Sequence, residues 1–166
     1  MPLAVRGTGV TLVYGERVAF RASDVTVPEG AITAVIGPNG SGKSTLLNAI
    51  AGLATLADGT LEVLGADPIG ARSRTSYVLQ ATKVNDTLPV TVREVVTMSR
   101  YVERGSFGFI RKSDRAIVDE ALARLDVDSL ATRHLGELSG GERQRVFVAQ
   151  GLAQRADLLL LCLLYT

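Results

Sequence analysis

The pattern of apolar and polar positions changes its period along the chain. Residues 3–27 carry short apolar, β-branched runs at Val10–Val13, Val18–Phe20 and Val25–Val27, interrupted at Gly15–Glu16 and Pro28–Gly30. Side chains of this kind pack well on a pleated surface, and Gly and Pro punctuate turns, so the stretch predicts two or three short strands. Ile32–Ile36 is a continuous apolar run ending at Gly37 and is expected to form a buried strand. Ser44–Leu53 shows helical spacing through Leu46, Leu47, Ile50 and Leu53, with Gly52 near its end. Thr60–Leu64 and Ser76–Leu79 read as strands, and residues 65–75 and 81–90 as loops. From Thr91 the spacing predicts three helices: one around Val92–Met98, one over Ser113–Leu125 and one over residues 139–154. The second places Ile117, Val118, Ala121, Leu122 and Leu125 on one face. Asp157–Leu164 is strand-like again. The order predicts an α/β core with a helical segment inserted at about 91–135.

Composition narrows the class. The chain has 166 residues, 46% hydrophobic and 21% charged, which is globular usage and one domain or part of one. The net charge of +1 gives no footprint for nucleic acid or an anionic membrane, and no nucleic-acid partner is expected. A single cysteine, Cys162, forms no internal disulfide and fits a reducing compartment. The first 20 residues contain no apolar h-region. The longest apolar run, Leu158–Tyr165, falls far short of the roughly 20 residues that cross a bilayer, so a membrane link would run through a partner. Only 3 of the 18 basic residues are lysines, and one of these is Lys43.

Lys43 closes a loop motif. Gly37, Pro38, Asn39, Gly40, Ser41, Gly42, Lys43, Ser44 and Thr45 match G-x-x-x-x-G-K-[ST] without a gap, between an expected strand and an expected helix. Gly37, Gly40 and Gly42 are expected to take positive φ and turn backbone N–H groups toward phosphate oxygens. The helix starting near Lys43 aims its positive dipole end at the same place. Lys43 supplies a point charge for the β- and γ-phosphates, and the Ser44 hydroxyl is a ligand for Mg²⁺. ATP with Mg²⁺ is the expected ligand.

A second motif, Leu138, Ser139, Gly140, Gly141 and Glu142, opens the last helix. Ser139 as N-cap and Glu142 three residues on form a capping box, which satisfies two orphan amides. That leaves the two glycines unexplained, since glycine weakens a first helical turn. They make sense if the turn must lie close to something, and a helix N-terminus is itself a phosphate site.

With LSGGE about a hundred residues after GPNGSGKST, the chain resembles the ATP-binding subunits of ABC transporters from about Val5 to Leu161. The resemblance implies a P-loop NTPase (RecA-like) α/β core with an N-terminal antiparallel β subdomain and an inserted helical subdomain. It implies one partial domain: β subdomain and P-loop core at about 1–90, helical subdomain at about 91–140, signature helix and last strand at about 139–166. In this family the signature turn reaches the γ-phosphate on a second subunit, so Leu138–Glu142 would act in trans in an ATP-dependent head-to-tail homodimer. Tyr14 matches the aromatic that stacks on adenine. Gln80, ending Tyr77–Gln80, matches the glutamine that meets Mg²⁺ or the attacking water and relays nucleotide state to the transmembrane permease subunit. The helical insert matches the part that docks on that permease. A solute-binding protein in the wider complex and a place on the inner face of the cell membrane follow from the same resemblance. Leu88–Tyr101, Gly105–Phe109 and Arg111–Asp114 look like importers of manganese, zinc, iron or metal chelates.

The pattern departs from the family at one place. An Asp for Mg²⁺ and a Glu for the attacking water are expected after the last strand, and Cys162 and Leu163 stand there. A thiol among leucines offers no hard oxygen for Mg²⁺, so Cys162 reads as a small buried apolar residue. His134 precedes the signature and reads as a loop histidine, not the family's switch residue. Two expectations follow: a gene that continues with acidic residues past Leu161, this chain being C-terminally truncated or mis-joined there, or a short protein that binds ATP without hydrolysing it. The chain as written is expected to be marginally stable and aggregation-prone. A soluble nucleotide-gated clamp of translation or DNA repair is the alternative from another class.

Overall fold

The structure, a computed structural model, describes residues 1–15, 17–78, 89–101 and 109–162; of Tyr14 it describes the backbone alone. The described chain forms two compact units, Met1–Thr75 and Ser76–Thr166.

In the first unit, β1 (Leu3–Tyr14), β2 (Arg17–Pro28) and β3 (Asp58–Val63) form an antiparallel sheet in the order β2-β1-β3. The expected two or three short strands are thus two long ones. Their pairing runs from Leu3 opposite Pro28 to Tyr14 opposite Arg17, with Gly15 (φ +61°) in the turn. The expected breaks hold, since β1 ends before Gly15 and β2 at Pro28, while irregularities within the pairing are absorbed as shifts in register. Between Gly7 and Val10 the register shifts, Gly9 takes φ +59°, and its N–H donates to Asp24 Oδ1 at 2.9 Å. Val5, Val10 and Leu12 of β1 are buried, as are Leu61 and Val63 of β3.

Helix α1 (Lys43–Ile50) packs against β1 and β2 and buries Leu46, Ala49 and Ile50. It stops where Gly52 takes φ +71°. There the Leu53 N–H donates to the Asn48 carbonyl at 2.7 Å and the Gly52 N–H to the Ala49 carbonyl at 2.9 Å, a Schellman end.

The expected buried strand at Ile32–Ile36 is not formed. Residues 32–38 adopt no regular secondary structure, and Ile32 and Ile36 are exposed. An apolar run becomes a buried strand only where neighbouring strands take up its amides and other elements cover its faces. Among the described residues no strand hydrogen-bonds to it.

In the second unit, β4 (Thr75–Val78) and β5 (Leu158–Leu161) form a two-stranded sheet. Helices α2 (Val92–Met98), α3 (Lys112–Arg124) and α4 (Gly140–Ala153) surround a core that includes Val92, Val96, Val118, Leu122, Leu135 and Val146. All three start within one residue of the positions expected from the periodicity. Two have a capping box at the N-terminus, from Thr91 and Glu94 in α2 and from Ser139 and Glu142 in α4, while in α3 the Asp114 carboxylate accepts the Arg111 N–H with no side chain returning the bond. Gly151 lets α4 approach the sheet, since a Cβ there would lie 2.6 Å from Val78 Cγ2 and 2.9 Å from Leu159 Cδ1. His134 lies in the connection before α4, bridged to Thr91, as its reading as a loop histidine requires. Strand β5 is less enclosed than its composition suggests, with Leu160 buried and Leu161 exposed.

Candidate nucleotide-binding site

The loop Gly37–Ser41 is exposed and leads into the N-terminus of α1. Gly40 (φ +81°) and Gly42 (φ +87°) take the left-handed region, as expected. Gly37 does not, and this corrects the reading of all three glycines. A Cβ there would instead meet the Ser41 hydroxyl at 2.9 Å, so that hydroxyl would have to turn aside. Gly42 is doubly required: a Cβ there would also lie 2.2 Å from the Ala19 carbonyl oxygen on β2.

Lys43 folds back over this loop. Its ammonium donates to the carbonyls of Gly37 at 2.8 Å and Pro38 at 2.7 Å, while the Ser41 N–H closes the turn on the Pro38 carbonyl at 3.2 Å. The charge is therefore held at the centre of the loop. Gly42 caps α1 without a side-chain oxygen, and no acidic residue stands in the first turn to compete for the dipole. Ser44 and Thr45 stand in that first turn, at the side of the loop. The arrangement can take an anion: a cation, a helix N-terminus and a Gly-rich turn converge.

The second motif belongs to the other unit. Ser139 Oγ accepts from the Glu142 N–H at 3.4 Å, while Glu142 Oε2 accepts from the Ser139 N–H at 2.8 Å and its hydroxyl at 2.6 Å. These bonds, led by that from the Ser139 side chain, hold the Glu142 carboxyl below its ordinary pKa, with smaller help from Arg133 and Arg145. The Arg143 guanidinium braces the approach by donating to the carbonyls of Gly136 and Leu138, each at 3.4 Å. Leu138 is buried and anchors the turn, whereas Ser139, Gly140 and Gly141 are exposed. A Cβ at Gly140 or Gly141 would meet nothing within 4 Å, so the chain's own packing does not demand either glycine.

Of the remaining expected site residues, Tyr14 ends β1 with its backbone opposite Arg17. Gln80 and Leu163 lie outside the described residues. Cys162 is half-buried rather than buried. Its N–H donates to the Val78 carbonyl at 3.0 Å and it hydrogen-bonds with Tyr77, so backbone pairing onto β4 keeps it at the sheet margin. Burial, then the neighbouring Cys162, push the Tyr77 hydroxyl up to about 12. Among the described residues no group of three or more His, Cys, Asp or Glu could hold a metal ion. For Mg²⁺, the described site offers the Ser44 hydroxyl, and a hard cation would take its other oxygens from phosphate and water.

Two features escaped the sequence reading. One is a groove of about 620 Å³ between α2 and α3, lined by residues including Arg93, Glu94, Met98, Tyr101, Arg115 and Val118. The other is a buried ion pair, Arg100 with Asp114. Arg100 follows Val92 and Val96 at helical spacing, on the apolar stripe. A charge on a stripe of that kind is the sequence signal that a buried partner exists.

A phosphate loop of this geometry and a capped glycine turn define an ATP-binding cassette. The chain belongs to the ABC transporter family, whose model matches residues 20–161. It is 44% identical over 158 residues to the zinc transport system ATP-binding protein TroB of Treponema pallidum, covering 93% of this chain and 58% of that protein. It is 38% identical over 149 residues to the manganese transport system ATP-binding protein MntB of Bacillus subtilis, covering 90% of this chain and 60% of that one. Among solved structures, an inward-facing metal-chelate type ABC transporter matches with a TM-score of 0.81 at 29% identity, over 97% of this chain and 60% of that chain. The ADP conformation of the ATP-binding cassette MJ1267 shares the fold, with a TM-score of 0.80 at 22% identity over 96% of this chain and 68% of that chain. The fold is therefore that of the ABC ATPase P-loop domain, with an antiparallel β subdomain. The chain spans about three fifths of the length of these relatives.

Proposed function

We propose that this chain is the ATP-binding portion of a subunit that powers import of a metal ion, manganese, zinc or iron, or of a metal chelate. The observation that carries ATP binding is the Lys43 ammonium held between the Gly37 and Pro38 carbonyls at the N-terminus of α1. Phosphate oxygens would take the place of those carbonyls, with loop amides from Gly40 to Ser44 around them. Tyr14 would stack on adenine, and Ser44, with Gln80, would face Mg²⁺. Mg²⁺, when bound, would neutralise charge on the phosphates.

The turn Leu138–Glu142 would meet the nucleotide of a second copy in a head-to-tail dimer. The open space over Gly140 and Gly141 supports this, because both glycines leave room that nothing in the chain fills. The α2–α3 groove is the candidate seat for a transmembrane permease subunit, and a solute-binding protein would complete the assembly. Among the described residues no helix is long and apolar enough to cross a membrane, so membrane attachment through the permease fits, on the cytoplasmic side. The metal class rests on the printed names of relatives such as TroB and MntB.

Turnover is a separate matter. Cys162 stands where an Mg²⁺-facing carboxylate would be needed, so the chain is expected to bind ATP and hydrolyse it poorly. Equilibrium binding of ATP to the chain and to Lys43→Ala tests the reading: loss of at least tenfold in affinity supports it, and equal affinity overturns it. A single-turnover assay on the same chain measures hydrolysis.

A further inference from the structure

The signature helix α4 is gripped at the end opposite its signature. Arg100, just past α2, is 3% exposed, and its guanidinium donates to the Ala153 carbonyl at 2.8 Å and the Gln154 carbonyl at 3.4 Å. These are the last carbonyls of α4, where a cation is favoured by both hydrogen bonding and the dipole. The Arg100 Nε lies 3.2 Å from Asp114 Oδ1, and Asp114 is fully buried. Asp114 Oδ2 accepts the Arg111 N–H at 2.9 Å, at the N-terminus of α3. One ion pair therefore ties the C-terminal end of α4, the start of α3 and the end of α2 together. Alternatives on the surface, such as Arg155 with Glu120, are exposed and hold far less.

We propose that Arg100 and Asp114 are a positioning pair for the signature turn. This deepens the reading that Leu138–Glu142 meets a second copy, and rests on it. The argument is mechanical. Helix α4 is 14 residues long, so it carries a displacement at Ala153 over roughly 20 Å to Ser139. Buried charge is also costly to retain where apolar residues would pack as well, so stability alone is weak grounds for the pair. A forked guanidinium that meets a carboxylate and two carbonyls at once fixes direction, which a methionine in the same space would not. Displacements of about 1 Å from remote changes can cost on the order of a hundredfold at a functional site.

The experiment uses the full chain, with ATP as the probe, and compares it with the double variant Arg100→Met/Asp114→Leu. Removing both charges leaves neither one buried alone, so the fold is expected to survive. Two quantities are read: ATP affinity of the dilute monomer, and ATP-dependent self-association by sedimentation. The expected result is an ATP affinity within about twofold of the unvaried chain, with association weakened about tenfold or more. A loosened fold without a positioning role would shift melting and leave association of the folded fraction unchanged. A well-folded double variant that associates like the unvaried chain overturns the proposal. If the double variant does not fold, Arg100→Lys decides. Its ammonium keeps the charge but cannot span the carboxylate and both carbonyls, so association should fall about threefold or more; unchanged association overturns the proposal. An unvaried chain that binds ATP and never associates overturns the in-trans reading itself, and the pair's role with it.

Discussion

Lys43 Nζ lies 2.8 Å from the carbonyl oxygen of Gly37, six residues earlier in the chain, inside the loop that the two residues bound. The contact makes the loop its own placeholder: the cation is already where an anion would need it. A compact ammonium fits there and a planar guanidinium does not. Lys43→Arg keeps the charge yet should bind ATP at least about tenfold more weakly, measured by equilibrium titration. Affinity within twofold would mean that charge, not shape, is what the loop selects.

Gly141→Ala separates the chain's interests from those of its partner. An added methyl meets nothing within 4 Å, and alanine favours a helix over glycine by about 1 kcal/mol. The variant should melt slightly higher than the unvaried chain while its ATP-dependent association weakens. Higher stability with equal association would remove the argument from open space.

Acid should loosen the start of α4. The Glu142 carboxyl is held below its ordinary value of 4.5, first by the Ser139 hydroxyl and then by the Ser139 N–H. A lowered folded value contributes stability that is present above 4.5 and lost as pH falls through the folded value. Thermal melts below pH 4.5 should therefore show a decline that Glu142→Gln lacks. Parallel curves for the two proteins would rule the effect out.

Alkali should act at β4, in the same unit as α4. Tyr77 is pushed up from 10.0 to about 12, so in the unfolded chain it ionises first. The stability this gives is complete below pH 10 and is lost as pH rises toward 12. Tyr77→Phe should flatten that part of the melting curve. Cys162→Ala should narrow it, since the cysteine's charge and hydrogen bond contribute to the rise. A Tyr77→Phe chain with the same alkaline decline would place the cause elsewhere.

The helices were legible because their signals are local. Val92, Val95 and Val96, or Val118, Ala121 and Leu122, mark a buried stripe by spacing alone, and Thr91 and Ser139 mark where two of the helices begin. The phosphate loop was legible for the same reason, down to Gly40 and Gly42. Gly37 was misread because the sequence does not distinguish a glycine needed for φ from one that is not. Ile32–Ile36 was misread because a buried strand is a property of its neighbours, not of its own residues. Arg100 and Asp114 escaped because they are 14 residues apart and meet only through packing of α2, α3 and α4.

The uncovered run at Ile32, Val35 and Ile36 also sets how copies of this chain behave toward one another. With a net charge of +1, long-range repulsion is almost nil, so nothing electrostatic keeps those side chains apart. Salt, which tunes the solubility of strongly charged proteins, would have little left to screen.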